Sequence, residues 1–181
     1  MYIETRYDRG IKDTLAQVKL LASPEVGETV FCRENGRVLT FDGELWMCDD
    51  FIKSYNATAG ARAQGDTMVF FQGSGAGPKV VASSTSGNSL VAGVLAYDVP
   101  NVLNSPVAIA FKGIYKVKLV YFTTPTATGQ FVRTTSSGGG GCSEINATMS
   151  GGVYGWTLDI PTTVSPSLVR CLLRGKVEYY F

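Results

Sequence analysis

Val91-Ala92-Gly93-Val94-Leu95-Ala96-Tyr97-Asp98-Val99-Pro100 and Gly152-Val153-Tyr154-Gly155-Trp156-Thr157-Leu158-Asp159-Ile160-Pro161 are two versions of one pattern. Each is an apolar run with an internal glycine that ends on Asp, a β-branched residue and Pro. The likeness extends outward in both directions. Upstream, Gly65-Asp66-Thr67-Met68-Val69-Phe70 is echoed by Gly129-Gln130-Phe131-Val132-Arg133-Thr134, and a Gly- and Ser-rich loop follows each, at 72–78 and 136–141. Downstream, a Ser-Pro pair recurs at Pro106 and Pro166, and Phe111-Lys112-Gly113-Ile114-Tyr115 parallels Leu173-Arg174-Gly175-Lys176-Val177. The order is kept and the spacing is nearly constant, so the chain carries a degenerate internal repeat. Each copy predicts a short β-roll of four or five strands, with first and second repeats over 62–124 and 125–181. Gly113 inside the last strand predicts a bulge or a close backbone approach. Pro100 and Pro161 cannot donate a ladder bond and are expected to end strands.

Ahead of the repeats, 29–34, 37–41 and 44–48 form a three-stranded meander joined by Asn35-Gly36 and Asp42-Gly43, the preferred residues of two-residue hairpin loops. Phe31, Leu39, Phe41 and Trp46 are its larger apolar side chains. Residues 55–64 are small or polar and predict a connection, so a meander-and-linker segment is placed at 27–61. Residues 1–26 form an N-terminal arm. Ile11, Leu15, Val18 and Leu21 fit a helix that Asp8 would cap and Ser23-Pro24 would end, and an extended arm ordered by a partner fits equally. The fold class is all-β: tandem small β-roll or barrel-like modules, preceded by a meander and an arm or short helix.

Composition narrows the function. The chain has 181 residues, 45% hydrophobic and 17% charged, and suits one ordinary domain or two small ones sharing a core. No apolar run spans a bilayer and the first residues lack a signal h-region, so neither membrane insertion nor export is expected. Net charge is +1 without a basic stripe, which argues against direct nucleic-acid binding. There is no His, so the commonest general base and metal ligand are missing, and neither catalysis, metal nor cofactor is expected. Cys32, Cys48, Cys142 and Cys171 form no Cys-x-x-Cys pair and are expected to be reduced and buried.

Other motifs carry little chemistry. In Gly73-Ser74-Gly75-Ala76-Gly77-Pro78-Lys79, Pro precedes Lys and no Ser or Thr follows it, unlike a phosphate loop. Asn56-Ala57-Thr58 and Asn146-Ala147-Thr148 are expected to be polar loops, and Asp49-Asp50 a turn or cap.

The tandem of Gly-Asp-x-x-Val, Gly-Val-x-x-x-Asp and an apolar strand with basic-Gly-x-x-x-Val resembles the decoration (cement) proteins of tailed bacteriophages, over about residues 62–181. The resemblance implies two β-rolls on the outside of a capsid, a structural virion protein assembled in the host cytoplasm, the major capsid protein as partner, and a homo-oligomer, most simply a trimer. Gly36-Arg37-Val38-Leu39-Thr40-Phe41-Asp42-Gly43-Glu44-Leu45-Trp46 is similar to a short meander of phage tail and fibre proteins, which implies a tail, baseplate or head-fibre adaptor as the alternative. Candidate partner-contacting residues are Tyr2, Tyr7, Trp46, Phe51, Tyr55, Tyr180 and Phe181, because aromatics concentrate at interface centres. A third possibility is a carbohydrate-binding module stacking sugars on Trp46, Trp156 and Tyr154, although the repeat favours core packing for Trp156. Loss of residues 1–26 is expected to weaken capsid binding and to leave the β-fold intact.

Overall fold

The computed structural model describes residues 8–71, 79–84, 90–120, 128–135, 141–146, 153–160 and 166–174. Among the described residues the chain is all-β apart from one short helix, and its strands form an open sheet and two closed barrels. The N-terminal part comprises β1 (Asp8–Lys12), α1 (Leu15–Lys19), β2 (Thr29–Cys32), β3 (Arg37–Phe41) and β4 (Trp46–Met47). These strands form a four-stranded sheet in the order β1-β2-β3-β4, with β1 parallel to β2. The sheet thus has one strand more than the meander expected, drawn from the arm.

Within the arm, helix and extended strand both occur. Thr14, not Asp8, caps α1: its hydroxyl accepts from the Gln17 N–H while the Gln17 side chain returns to the Thr14 N–H, a complete capping box. Asp8 lies in β1, where its carboxylate accepts from the Gly10 N–H. The helix stops at Lys19, ahead of Ser23-Pro24. Leu15 and Val18 are fully buried on one side of it. The helical part of the arm therefore contributes Leu15 and Val18 to the core, so removal of residues 1–26 is expected to disturb the fold rather than spare it.

Both hairpin loops are longer than two residues. Cys32 pairs with Arg37 and Phe41 with Trp46, which leaves four residues in each. Gly36 and Gly43 supply the positive φ these turns need, at 67° and 104°. Leu39 and Trp46 face inward, whereas Phe31 faces outward and is exposed.

The repeat emerges as two closed five-stranded barrels. The first contains β5 (Phe51–Asn56), β6 (Thr67–Phe70), β7 (Lys79–Ala82), β8 (Val91–Leu95) and β9 (Pro106–Ala110), in the order β5-β7-β6-β8-β9. The second contains β10 (Lys112–Val120), β11 (Phe131–Thr134), β12 (Ser143–Asn146), β13 (Val153–Thr157) and β14 (Ser167–Arg174), in the order β10-β12-β11-β13-β14. The strand orders are identical, and even the single register shift recurs, between Met68 and Val69 and between Val132 and Arg133.

The phase of the repeat differs from the sequence reading by one strand. β5, assigned from sequence to the 27–61 segment, opens the first barrel, and β10, assigned to the first repeat, opens the second. The apolar run read as one long strand breaks at Phe111, whose N–H donates to the Asp50 carbonyl. Gly113 then has φ +92°, and a Cβ there would lie 2.8 Å from the Asp50 carboxylate, so the close approach expected of this glycine is found. Residues 55–64 are not a linker: Tyr55 and Asn56 end β5, and Arg62 makes a backbone bridge with Val99. Asn56 is buried in the barrel rather than in an exposed loop. The loops at 72–78 and 136–140, and Pro161, lie outside the described residues.

One core cluster joins all three parts. It runs from Leu15, Val18 and Trp46 through Phe51, Val94 and Ala110 to Tyr115, Val132 and Cys171. A second, including Met68, Val80, Leu95 and Ile109, fills the first barrel.

Candidate interaction surface

Cross-strand partners share a face of a sheet, so the registers define which side chains line up outside each body. On the N-terminal sheet Ile11 pairs with Phe31 and Phe31 with Val38, an apolar row across β1, β2 and β3. All three are exposed, as are Leu20 and Val26 in the same part of the chain. On the second barrel Ile114 pairs with Leu172, Leu172 with Trp156 and Trp156 with Phe131, a row across β10, β14, β13 and β11. Trp156 and Phe131 are half-buried, with ring centroids 6.3 Å apart, and the Arg174 guanidinium lies 5.7 Å above the indole.

Behind these rows, buried polar groups hold the parts in place. Asp50 takes two hydrogen bonds from Arg37, at 2.7 and 3.3 Å, and one from the Tyr115 hydroxyl at 3.2 Å. That hydroxyl in turn accepts from Asn35. Strand β3, the start of β5 and strand β10 therefore meet at one carboxylate. Tyr97 donates to the Trp46 carbonyl at 2.9 Å, and the Lys19 ammonium to the Asp98 carbonyl. Between the barrels, Thr67 Oγ1 lies 2.7 Å from Ser143 Oγ and 2.9 Å from the Tyr154 hydroxyl, and Lys118 pairs with Asp66. Burial pushes the hydroxyl pKa values of Tyr97, Tyr115 and Tyr154 up, so these phenols remain neutral donors and acceptors.

The cysteines are free. Burial raises all four thiols, that of Cys171 to about 12, so none is an activated nucleophile. Among the described residues no group of three or more His, Cys, Asp or Glu is arranged to hold a metal ion. Asp49 and Asp50 do not act as a pair, since Asp50 is committed to Arg37 and Tyr115. No helix among the described residues is long and apolar enough to cross a membrane. A cleft of about 370 Å³ lies between the N-terminal part and the first barrel, lined by Leu21, Pro24, Leu45, Tyr97, Val99 and Pro106 among others.

The aromatic candidates sort unevenly. Trp46 and Phe51 are buried in the shared core, Trp46 with its ring 5.4 Å from Phe41 and Phe51 with its ring 5.5 Å from Tyr115, so neither is available to a partner. Tyr55 is half-buried in β5. Tyr2, Tyr7, Tyr180 and Phe181 lie outside the described residues. Tyr154 is buried, which leaves Trp156 alone of the three aromatics considered for sugar stacking. Trp156 lies outside the buried core but is half-buried, packed on Phe131 and beneath Arg174. Apart from Phe31, the exposed residues of these rows, Ile11, Val38, Ile114 and Leu172, are aliphatic, and their outward direction follows from strand register, which composition does not encode. No family model matches this chain, and no curated protein matches it.

Proposed function

We propose that the chain is a structural virion protein, a decoration subunit that binds the outer face of the major capsid protein on a phage head. The observation that supports this most is the duplicated barrel, two modules of identical strand order in tandem, which is the organisation the resemblance implies. The N-terminal sheet offers the contact: Ile11, Phe31 and Val38 form an outward apolar row on a sheet anchored to the first barrel through Asp50, Tyr97 and Lys19. Adhesion needs no catalytic step. Weak contacts repeated over a shell add up through avidity, and the rigid connection of sheet to barrel keeps the ordering cost of each contact low.

The test is sedimentation of the purified chain with emptied heads and, separately, with isolated tails of the virions that carry it. Saturable binding to heads, weakened by Phe31→Glu, is the expected result. Binding to tails alone would transfer the protein to the adaptor role, and binding to neither would end both.

A further inference from the structure

Strands β10 and β14 pair antiparallel, and their register aligns the outward side chains: Lys112 with Arg174, Ile114 with Leu172, Lys116 with Arg170 and Lys118 with Leu168. Two of these pairs set cation against cation, which destabilises a sheet when nothing compensates it. Neither strand contains an acidic residue. For Lys116 and Arg170 the rest of the chain supplies compensation, Glu34 at 2.8 Å and Asp159 at 2.7 Å, and Asp66 meets Lys118 at 3.2 Å. Lys112 and Arg174 have no carboxylate partner among the described residues. Each instead lies over an aromatic ring, Lys112 5.5 Å from the centre of Phe111 and Arg174 5.7 Å from that of Trp156. Such a contact orients a cation without neutralising it. Of the acids nearby, Asp50 is committed to Arg37 and Tyr115, and Asp49 lines a depression beside Lys112 without an ion pair to it.

The next row along the face is apolar. It runs Ile114–Leu172–Trp156–Phe131, with Ile114 42% and Leu172 41% exposed. Its register equivalent, the first barrel's outer row Phe51–Ala110–Val94–Thr67, is buried at the seam with the second barrel. We propose that Lys112, Arg174, Ile114 and Leu172 form a docking face for an acidic segment of a different protein. Its carboxylates would lie between Lys112 and Arg174, and an apolar side chain would cover Ile114 and Leu172. An extended segment along β10 presents such residues two positions apart, the same step that separates Lys112 from Ile114. A uniform polyanion fits less well, because Lys116, Lys118 and Arg170 are already neutralised and the free pair adjoins an apolar row. A second copy docked face to face would bring the same uncompensated cations together. A local mismatch of this kind is what proteins retain where binding needs it. The inference does not depend on the capsid role.

Fluorescence anisotropy of a labelled peptide with Glu and Leu two positions apart, titrated with the full chain at low salt, tests it. The peptide is expected to bind, and to bind at least about tenfold more weakly to Lys112→Gln and to Arg174→Gln. Arg33→Gln removes the same charge just after β2 and is expected to leave the affinity within about twofold. Trp46 is buried, so a shift in tryptophan emission on binding is expected to come from Trp156 and to vanish in Trp156→Phe. In the free chain Lys112→Gln relieves the facing charges, so its urea midpoint is expected to hold or rise, which separates lost binding from lost folding. No binding by the wild type, unchanged binding by both folded variants, or equal binding of the peptide with Gln in place of Glu each overturns the proposal. Tighter binding of an oligothymidylate of equal charge does so as well, by making this a polyanion site, as does self-association that Arg174→Gln abolishes.

Discussion

Asp50 is withdrawn from solvent, its side chain 2% exposed, while its partner Arg37 is 51% exposed. The asymmetry determines what each substitution costs. Removing Arg37 strands a buried carboxylate with the Tyr115 hydroxyl as its remaining side-chain donor. Because Arg37 is half in water, Arg37→Ala is expected to cost about 2–3 kcal/mol, below a fully buried pair. Arg33 makes a similar contact to Asp13 with both side chains mostly exposed, so Arg33→Ala is expected to cost less than about 0.5 kcal/mol. Urea unfolding of the two variants checks the contrast. Comparable losses would mean that the Asp50 cluster is not the pin joining sheet to barrels. Asp50 was visible in the sequence only as half of an Asp-Asp pair. Its partners lie on β3 and β10, and no local signal connects them.

Among the elements, the β3–β4 turn and the barrel bulges set the clearest expectations. Asp42 accepts from the Glu44 and Leu45 amides at 2.9 and 2.8 Å and from Lys53 at 2.9 Å. Burial pushes its carboxyl up, but those donors outweigh it and hold the pKa below the ordinary value. A carboxyl depressed by folding binds fewer protons in the folded than in the unfolded state. Its stabilisation is complete above the ordinary aspartate value near 4 and is lost as pH falls through the depressed one. The urea midpoint is therefore expected to fall in acid below about pH 4, less steeply in Asp42→Asn, which keeps an acceptor for the turn amides. At the bulge, Gly93 has φ +140°, and a Cβ would lie 2.2 Å from the Ala110 carbonyl oxygen. Gly93→Ala is expected to cost at least about 3 kcal/mol or to prevent folding. Gly129, at φ +74° with open space around it, is expected to lose only about 1–2 kcal/mol as Ala. Thermal melts of both variants distinguish close approach from turn conformation. Gly155, the counterpart of Gly93, also lies close to backbone, with a Cβ position 2.7 Å from the Leu172 oxygen, so the repeat preserves the glycine together with the bulge.

At the scale of the molecule, the core cluster that joins α1, the first barrel's outer row and the second barrel's interior makes the three parts interdependent. Unfolding is expected to be one cooperative transition, with tryptophan emission and far-ultraviolet circular dichroism coinciding. Leu15→Ala, in a segment whose sequence fits a helix and an extended arm equally, is expected to cost about 2–4 kcal/mol and to lower that single transition. A chain lacking residues 1–26 loses β1 and α1 and is expected to fail to fold, which makes it unsuitable for testing capsid binding. Two separate transitions would show instead that the barrels are independent and that the seam through Thr67 and Tyr154 is weak.

The all-β class, the duplication and the glycine turns were determined by the sequence itself, because strand alternation, Gly-rich loops and Asn-Gly or Asp-Gly pairs act over a few residues. The repeat's phase was not. Whether the run from Pro106 to Val120 is one strand or two depends on the Asp50 carbonyl that receives the Phe111 N–H from far along the chain. Nor could local pattern tell that Trp46 and Phe51 would be fully covered while Trp156 is only half-buried. The first barrel's outer row, Phe51, Ala110, Val94 and Thr67, is buried, and its register equivalents Ile114, Leu172, Trp156 and Phe131 are partly exposed, because the first barrel has the second packed on that row, a relation only the tertiary structure creates.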